Sequence, residues 1–233
     1  MAVGLALAVA AVGGYVAARE TSAFAITTIE VRGTDAEVAS DLRRALEPLV
    51  GTSLLSLVPK DVERLALTLP RVASVHYDRA FPHALVLRVE AEQPIAVARS
   101  GTAAWLVSSG GRVIEKLAPG ARLGLPRLWL PRSADVRIGT TLAAGAGADE
   151  IAALVPVRRA GFGGRVTTVR RAADGRVSYR LRGGVEVRAG RPVELRLKLV
   201  VAARILRQNA VREYLDVSVP SRPVGLIDPQ LSG

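Results

Sequence analysis

The chain contains no cysteine, which excludes disulfides, thiol nucleophiles and cysteine-ligated metals and leaves the redox compartment open. Aromatic residues make up only 4% of the 233 positions, too few to supply the stacking platforms that single-stranded nucleic acid binders use. Lysine is almost missing: Lys60, Lys116 and Lys198 are three of the 32 basic residues, and the arginines are spread along the chain instead of forming a block. A net charge of +11 ordinarily suggests nucleic acid or an anionic surface, but scattered arginine beside abundant alanine is explained by GC-rich coding, and no nucleic-acid partner is expected. The two histidines, His76 and His83, have no acidic partner at metal-ligand spacing, so surface or turn roles are expected and no metal or cofactor. No nucleophile stands beside a base and no pair of carboxylates is set apart, so an enzyme reading has no catalytic residue to rest on.

What is present divides into an apolar start and two modules. A chain of this length, 49% hydrophobic, can bury one large core or two small ones, and two are expected. Residues 2–18 carry no charged side chain, enough for about 26 Å of helix, close to the lower limit for a bilayer span. Alanine together with Gly4, Gly13 and Gly14 makes this run weakly hydrophobic, so a signal peptide cleaved near Ala23-Phe24-Ala25 is the alternative. Arg19 and Glu20 lie between the run and that site, and no basic residue precedes it. Both points favour an uncleaved single-pass anchor with the remainder outside, although the second also deprives an inside N-terminus of charge support.

After a linker at 19–23, residues 26–32 read as a strand. Thr34 and Glu37 have capping-box spacing for a helix whose apolar stripe is Val38, Leu42, Ala45, Leu46 and Leu49. Pro59 is placed for the first turn of a second helix, with Val62, Leu65, Ala66 and Leu69 buried and Pro70 as its stop. Residues 69–94 then read as a β-hairpin. Ala73, Val75 and Tyr77 alternate with Ser74, His76 and Asp78, and Leu85, Leu87, Val89 and Ala91 alternate with Val86, Arg88, Glu90 and Glu92, around a Phe81-Pro82-His83 turn.

Beyond Pro94 short strands alternate with glycine and proline. Residues 95–99 and 103–108 are expected strands, Ser109-Gly110-Gly111-Arg112 is a turn, and Trp105 lies on one face of the resulting hairpin. Trp129 is expected to be packed. Residues 150–160 read as a short helix despite Pro156, and Gly161-Phe162-Gly163-Gly164 reads as its stop, since it lacks both the Lys-Ser/Thr ending of a phosphate loop and the Rossmann spacing. A meander over 166–171, 177–182 and 185–189 leads to a helix over 193–208, with Leu197, Val201 and Ile205 recurring every four residues. A terminal strand after such a helix is expected at or near a sheet edge unless something further covers it, the alternative being an internal strand whose motif serves only packing. Pro220 and Pro223 cannot donate to a ladder, which confines continuous pairing to residues 215–219 and leaves Ser221, Arg222 and Val224 as side-chain contacts.

Several of these stretches together resemble the FtsQ/DivIB family of bacterial cell-division proteins. They are Leu-Pro-x-Val-x-x-Val from Leu69, an arginine two residues before Phe81-Pro82, a strand ending Val89-Glu90, and Trp105-Leu106-Val107 followed by Gly111-Arg112-Val113-Ile114. Leu125-Pro126-Arg127-Leu128 and Leu215-Asp216-Val217-Ser218-Val219-Pro220-Ser221-Arg222-Pro223-Val224 complete the set. Ser108 stands where the family usually has Asp. The resemblance implies an α+β chain: a transmembrane anchor (1–18), a POTRA domain of β-α-α-β-β order (24–93), a mainly antiparallel β domain with a C-terminal helix and an edge strand (94–225), and a tail (226–233). It also implies a cytoplasmic tail ahead of the anchor.

By the same resemblance the protein is a non-enzymatic divisome scaffold, single-pass in the cell membrane at the septum. It would bind FtsB-type and FtsL-type proteins and help control the septal peptidoglycan synthase complex. In the family a segment of FtsB adds as a strand, so partner contacts are expected at Asp216, Val217, Ser218, Val219, Ser221, Arg222, Val224 and Leu226. Lys198 matches a lysine common at the start of the family's helix, and is either a partner contact or a side chain that snorkels over the helix. The competing readings are an envelope peptidoglycan hydrolase and a POTRA-type translocation component.

Overall fold

The structure, a computed structural model, describes residues 22–208 and 211–227. The expected anchor at 2–18 lies outside them, and no helix among the described residues is long and apolar enough to cross a membrane. The chain divides into two compact units between Glu92 and Gln93.

The first unit runs β1 (Thr28–Arg32), α1 (Ala36–Ala45), α2 (Pro59–Ala66), β2 (Val72–Ala80) and β3 (Ala84–Ala91). Its sheet has β3 in the centre, parallel to β1 and antiparallel to β2. The α1 stripe is buried as its spacing predicts: Val38, Leu42, Leu46 and Leu49 join Val62, Ala66, Val75, Leu85, Leu87 and Val89 in one core. The cap differs from the expected one. Asp35 Oδ1 accepts the Val38 amide at 2.9 Å, while Thr34 Oγ1 is buried without a partner. With the cap one residue later, Glu37 falls out of capping-box range and pairs with Arg71 at 3.0 Å, which ties the start of α1 to the entry of β2.

The hairpin also carries a correction. Its register shifts between Val72 and Ser74, and Ala73 is the extra residue of that bulge. Val72 therefore turns into the core and Ala73 is exposed, although strict alternation puts Ala73 inside.

Among the described residues the second unit is one sheet with two α-helices. Its strands are β4 (Pro94–Ser100), β5 (Ala103–Ser108), β6 (Val113–Lys116), β7 (Arg127–Trp129), β8 (Val166–Arg171), β9 (Val177–Leu181), β10 (Glu186–Gly190), β11 (Val211–Asp216) and β12 (Val224–Ile227). The order across the sheet is β12-β11-β10-β9-β8-β7-β4-β5-β6. The β10–β11, β4–β7 and β7–β8 pairs are parallel and the other five antiparallel, so the sheet is mixed with an antiparallel majority. α3 (Ala148–Arg159) keeps Pro156 inside it and ends before Gly161, which takes the left-handed conformation of a helix stop.

α3 and α4 (Leu195–Gln208) touch each other and share one core with Tyr179, Val187 and Leu215, three buried side chains of adjacent strands. The fully buried Tyr179 hydroxyl donates to the Ala153 carbonyl of α3 at 2.9 Å, and burial pushes that phenol well above its ordinary pKa. Two sequence expectations change here. α4 buries Leu195, Lys198, Leu199, Ala202, Ala203 and Leu206, a stripe that follows the 3.6-residue period, whereas Leu197, in the every-fourth series, is half exposed. Trp129 is 61% exposed, because β7 alternates and turns Leu128 and Leu130 into the core instead.

Leu42 has no exposed surface, so Leu42→Ala should cost about 2–5 kcal/mol in chemical denaturation. Ala73→Ser, at the exposed bulge, should change stability by less than about 0.5 kcal/mol. A loss at Leu42 below about 1 kcal/mol would show that the α1 stripe is not core.

Candidate partner-docking edge

Every sheet end presents unpaired backbone groups, and the ends of this structure are covered unequally. β6 is overlain where it starts: the Val113 amide donates to the Thr140 carbonyl and Gly139 donates back to Val113. In the first unit, Arg43 Nε donates to the Ile29 carbonyl of β1, and β2 shows polar side chains such as His76 and Asp78 to solvent. β12 is different. Among the described residues it has a strand on one side only, and Val224 and Leu226 are 58% and 47% exposed. A short edge with exposed apolar side chains is suited to strand addition, where main-chain bonds give affinity and alternate side chains give specificity.

The structure redistributes the expected contact residues around this edge. Residues 215–219 do not form the free strand, because β11 lies between β10 and β12 and the chain then turns back on itself. Leu215 and Val217 are buried, and the Val217 amide donates inward to the Arg188 carbonyl at 2.9 Å. Asp216 Oδ1 receives both the Ser218 amide at 2.8 Å and the Ser218 hydroxyl at 2.6 Å. The Arg222 amide closes the turn on the Val219 carbonyl at 3.0 Å. Asp216 and Ser218 thus hold the turn, and Val219, Ser221 and Arg222 stand exposed on it. Val224 and Leu226 lie on the edge strand itself, so Leu226 belongs to β12 and not to a tail.

Lys198 is neither a surface contact nor a snorkelling side chain. It is 6% exposed, and its ammonium donates to the Arg191 carbonyl at 2.9 Å, fixing the segment between β10 and α4. Sequence reasoning missed the aromatic neighbour of the edge: the Arg188 guanidinium stacks on Tyr214 with its carbon 4.6 Å from the ring centre, while its Nε pairs with Glu186 at 3.0 Å. The alternation Tyr214, Leu215, Asp216 was the available signal. Ser108, in place of the usual Asp, is buried and its hydroxyl accepts the Arg112 amide at 3.2 Å, so it supplies the turn acceptor a carboxylate would provide. No cluster of three metal-ligating side chains occurs among the described residues.

Gly190 sets how closely β10 approaches the turn. Its φ is +66°, and a Cβ there would lie 2.7 Å from Ser218 Cβ. Gly190→Ala should therefore cost about 1–3 kcal/mol and loosen the turn, seen as faster amide exchange at Ser218. Unchanged stability and exchange would show that the turn does not depend on this contact.

Residues 24–90 match the family model described as POTRA domain, FtsQ-type. Among curated proteins, the cell division protein FtsQ of Streptomyces coelicolor is 34% identical over 74 residues, covering 31% of this chain and 28% of that protein. The chain thus aligns with less than a third of that relative, and the β12 edge lies beyond the matched POTRA residues. The first unit, built as strand, two helices and a hairpin, is thus a POTRA domain of the FtsQ type.

Proposed function

We propose that this protein is a membrane-anchored, non-enzymatic scaffold of the division machinery, held by residues 2–18 with both units outside the membrane. Its partners are FtsB-type and FtsL-type proteins, through which it helps control septal peptidoglycan synthesis. The reading is supported by the FtsQ-type POTRA domain together with the name of the curated relative. The observation that carries the partner site is β12, an edge strand with exposed apolar side chains beside an anchored turn. An FtsB-type segment adds along β12, contacts Val224 and Leu226, and reaches Val219, Ser221 and Arg222 on the turn. Asp216, Ser218, Val217 and Lys198 act by positioning that turn and the segment ahead of α4.

In cells depleted of the native protein, the labelled full chain should sit at mid-cell and prevent filamentation. Successive amides along β12 point alternately toward and away from β11, so at least one of Val224→Pro, Gly225→Pro and Leu226→Pro removes only an outward amide. That variant should keep its thermal transition yet lose the FtsB-type partner. A uniform envelope signal with normal septa on depletion contradicts the division role. Three variants that all unfold, or all bind normally, contradict the edge site.

A further inference from the structure

The face of the second sheet away from α3 and α4 carries a cleft that the scaffold reading does not use. The loop over residues 117–125 lies above β4, β7 and the start of β8 and encloses a volume of about 460 Å³. Arg99, Arg122, Arg127 and Arg182 line it, with the hydroxyl residues Thr102 and Thr167, and no carboxylate is among the lining residues. Most arginines that pair in this unit do so with a neighbouring acid: Arg137 with Asp135, Arg171 with Asp149, Arg176 with Asp174 and Arg188 with Glu186. Among the described residues none of the four cleft arginines forms an ion pair. Arg99 is further constrained: its Nε is buried without a hydrogen-bond partner, and its guanidinium carbon lies 5.4 Å from the centre of the exposed Trp129 ring.

Four like charges around one concavity repel one another unless an anion joins them. The guanidinium fork matches carboxylate and phosphate oxygens, but a carboxylate offers two oxygens, whereas a phosphate or diphosphate offers enough to engage several forks and the hydroxyls of Thr102 and Thr167 together. The volume lies within the range of small-ligand sites. We propose that this cleft binds a phosphate-bearing group, either on a soluble molecule or on a lipid headgroup, with Arg99, Arg127 and Arg182 as its principal contacts.

Trp129 reports on the site directly, since engaging Arg99 changes the cation resting on its ring. The full chain in neutral detergent, carrying Trp105→Phe so that Trp129 is the single tryptophan, is titrated with inorganic pyrophosphate, and calorimetry on the unaltered chain repeats the titration. A saturable fluorescence change is expected, absent with sodium chloride at equal ionic strength. The midpoint should rise roughly tenfold or more in Arg127→Gln/Arg182→Gln, with the thermal transition retained. Dihexanoyl phosphatidic acid below its micellar concentration separates the sources. Competition with pyrophosphate admits a lipid headgroup and lack of competition restricts the site to soluble phosphates, and either result upholds the phosphate assignment. An equal response to chloride, or a double variant that binds as the parent does, overturns it. So does a response to polyglutamate without one to pyrophosphate, which would give the cleft to an acidic protein segment.

Discussion

The parallel pairing of β10 with β11 is the constraint on which the second unit depends. Two parallel neighbours cannot be joined by a tight turn, so the chain must leave one end of the sheet and return to the other, and α4 is that crossover. Its buried stripe covers Val187 and Leu215, and Lys198 reaches back to the Arg191 carbonyl to hold the point of departure. β11 enters outside β10, and β12 pairs on its outer side. The Asp216–Ser218 turn sends β12 back along β11, and among the described residues β12 is the last strand of the sheet.

Among the described residues helices cover only one face of this sheet. α3 and α4 share the inner face, so the outer face keeps whatever polar residues the strand alternation places on it: Arg99, Arg127, Arg170, Arg180 and Arg188 on successive strands. Near β10 these charges are balanced by Glu186 and accompanied by Tyr214, whereas beneath the 117–125 loop they are not balanced.

The parts of this architecture legible in the sequence are those where one period dominates. The α1 stripe at Val38, Leu42 and Leu46 and the Leu85, Leu87, Val89 face of the hairpin have a single buried solution each. Ala73 was not legible, since a bulge inserts one residue and leaves composition unchanged. The α4 face could be read two ways because Leu195, Leu199 and Leu206 compete with Leu197, Val201 and Ile205, and tertiary contact decides between them. Trp129 was recoverable from the Arg127-Leu128-Trp129-Leu130 alternation, but a three-residue strand gives too short a window for the pattern to stand out. β12 was hidden more thoroughly. Val224-Gly225-Leu226-Ile227 has no polar alternation, so the edge strand is expected at 215–219 and Val224 only as a side-chain contact, whereas β12 lies outside β11.

The two strands make different demands on a partner, and this separates the account from its nearest alternative. If the edge were β11, added main-chain bonds would protect residues 215–219; with β12 outermost they must protect alternate amides within residues 224–227. Residue-resolved hydrogen exchange on the full chain, with and without an FtsB-type partner, measures this directly. The account predicts slowed exchange at the outward β12 amides, with Val217, already bonded to Arg188, little changed. Protection confined to β1, β2 or β6, or no protection at β12 when the partner is bound, would contradict it.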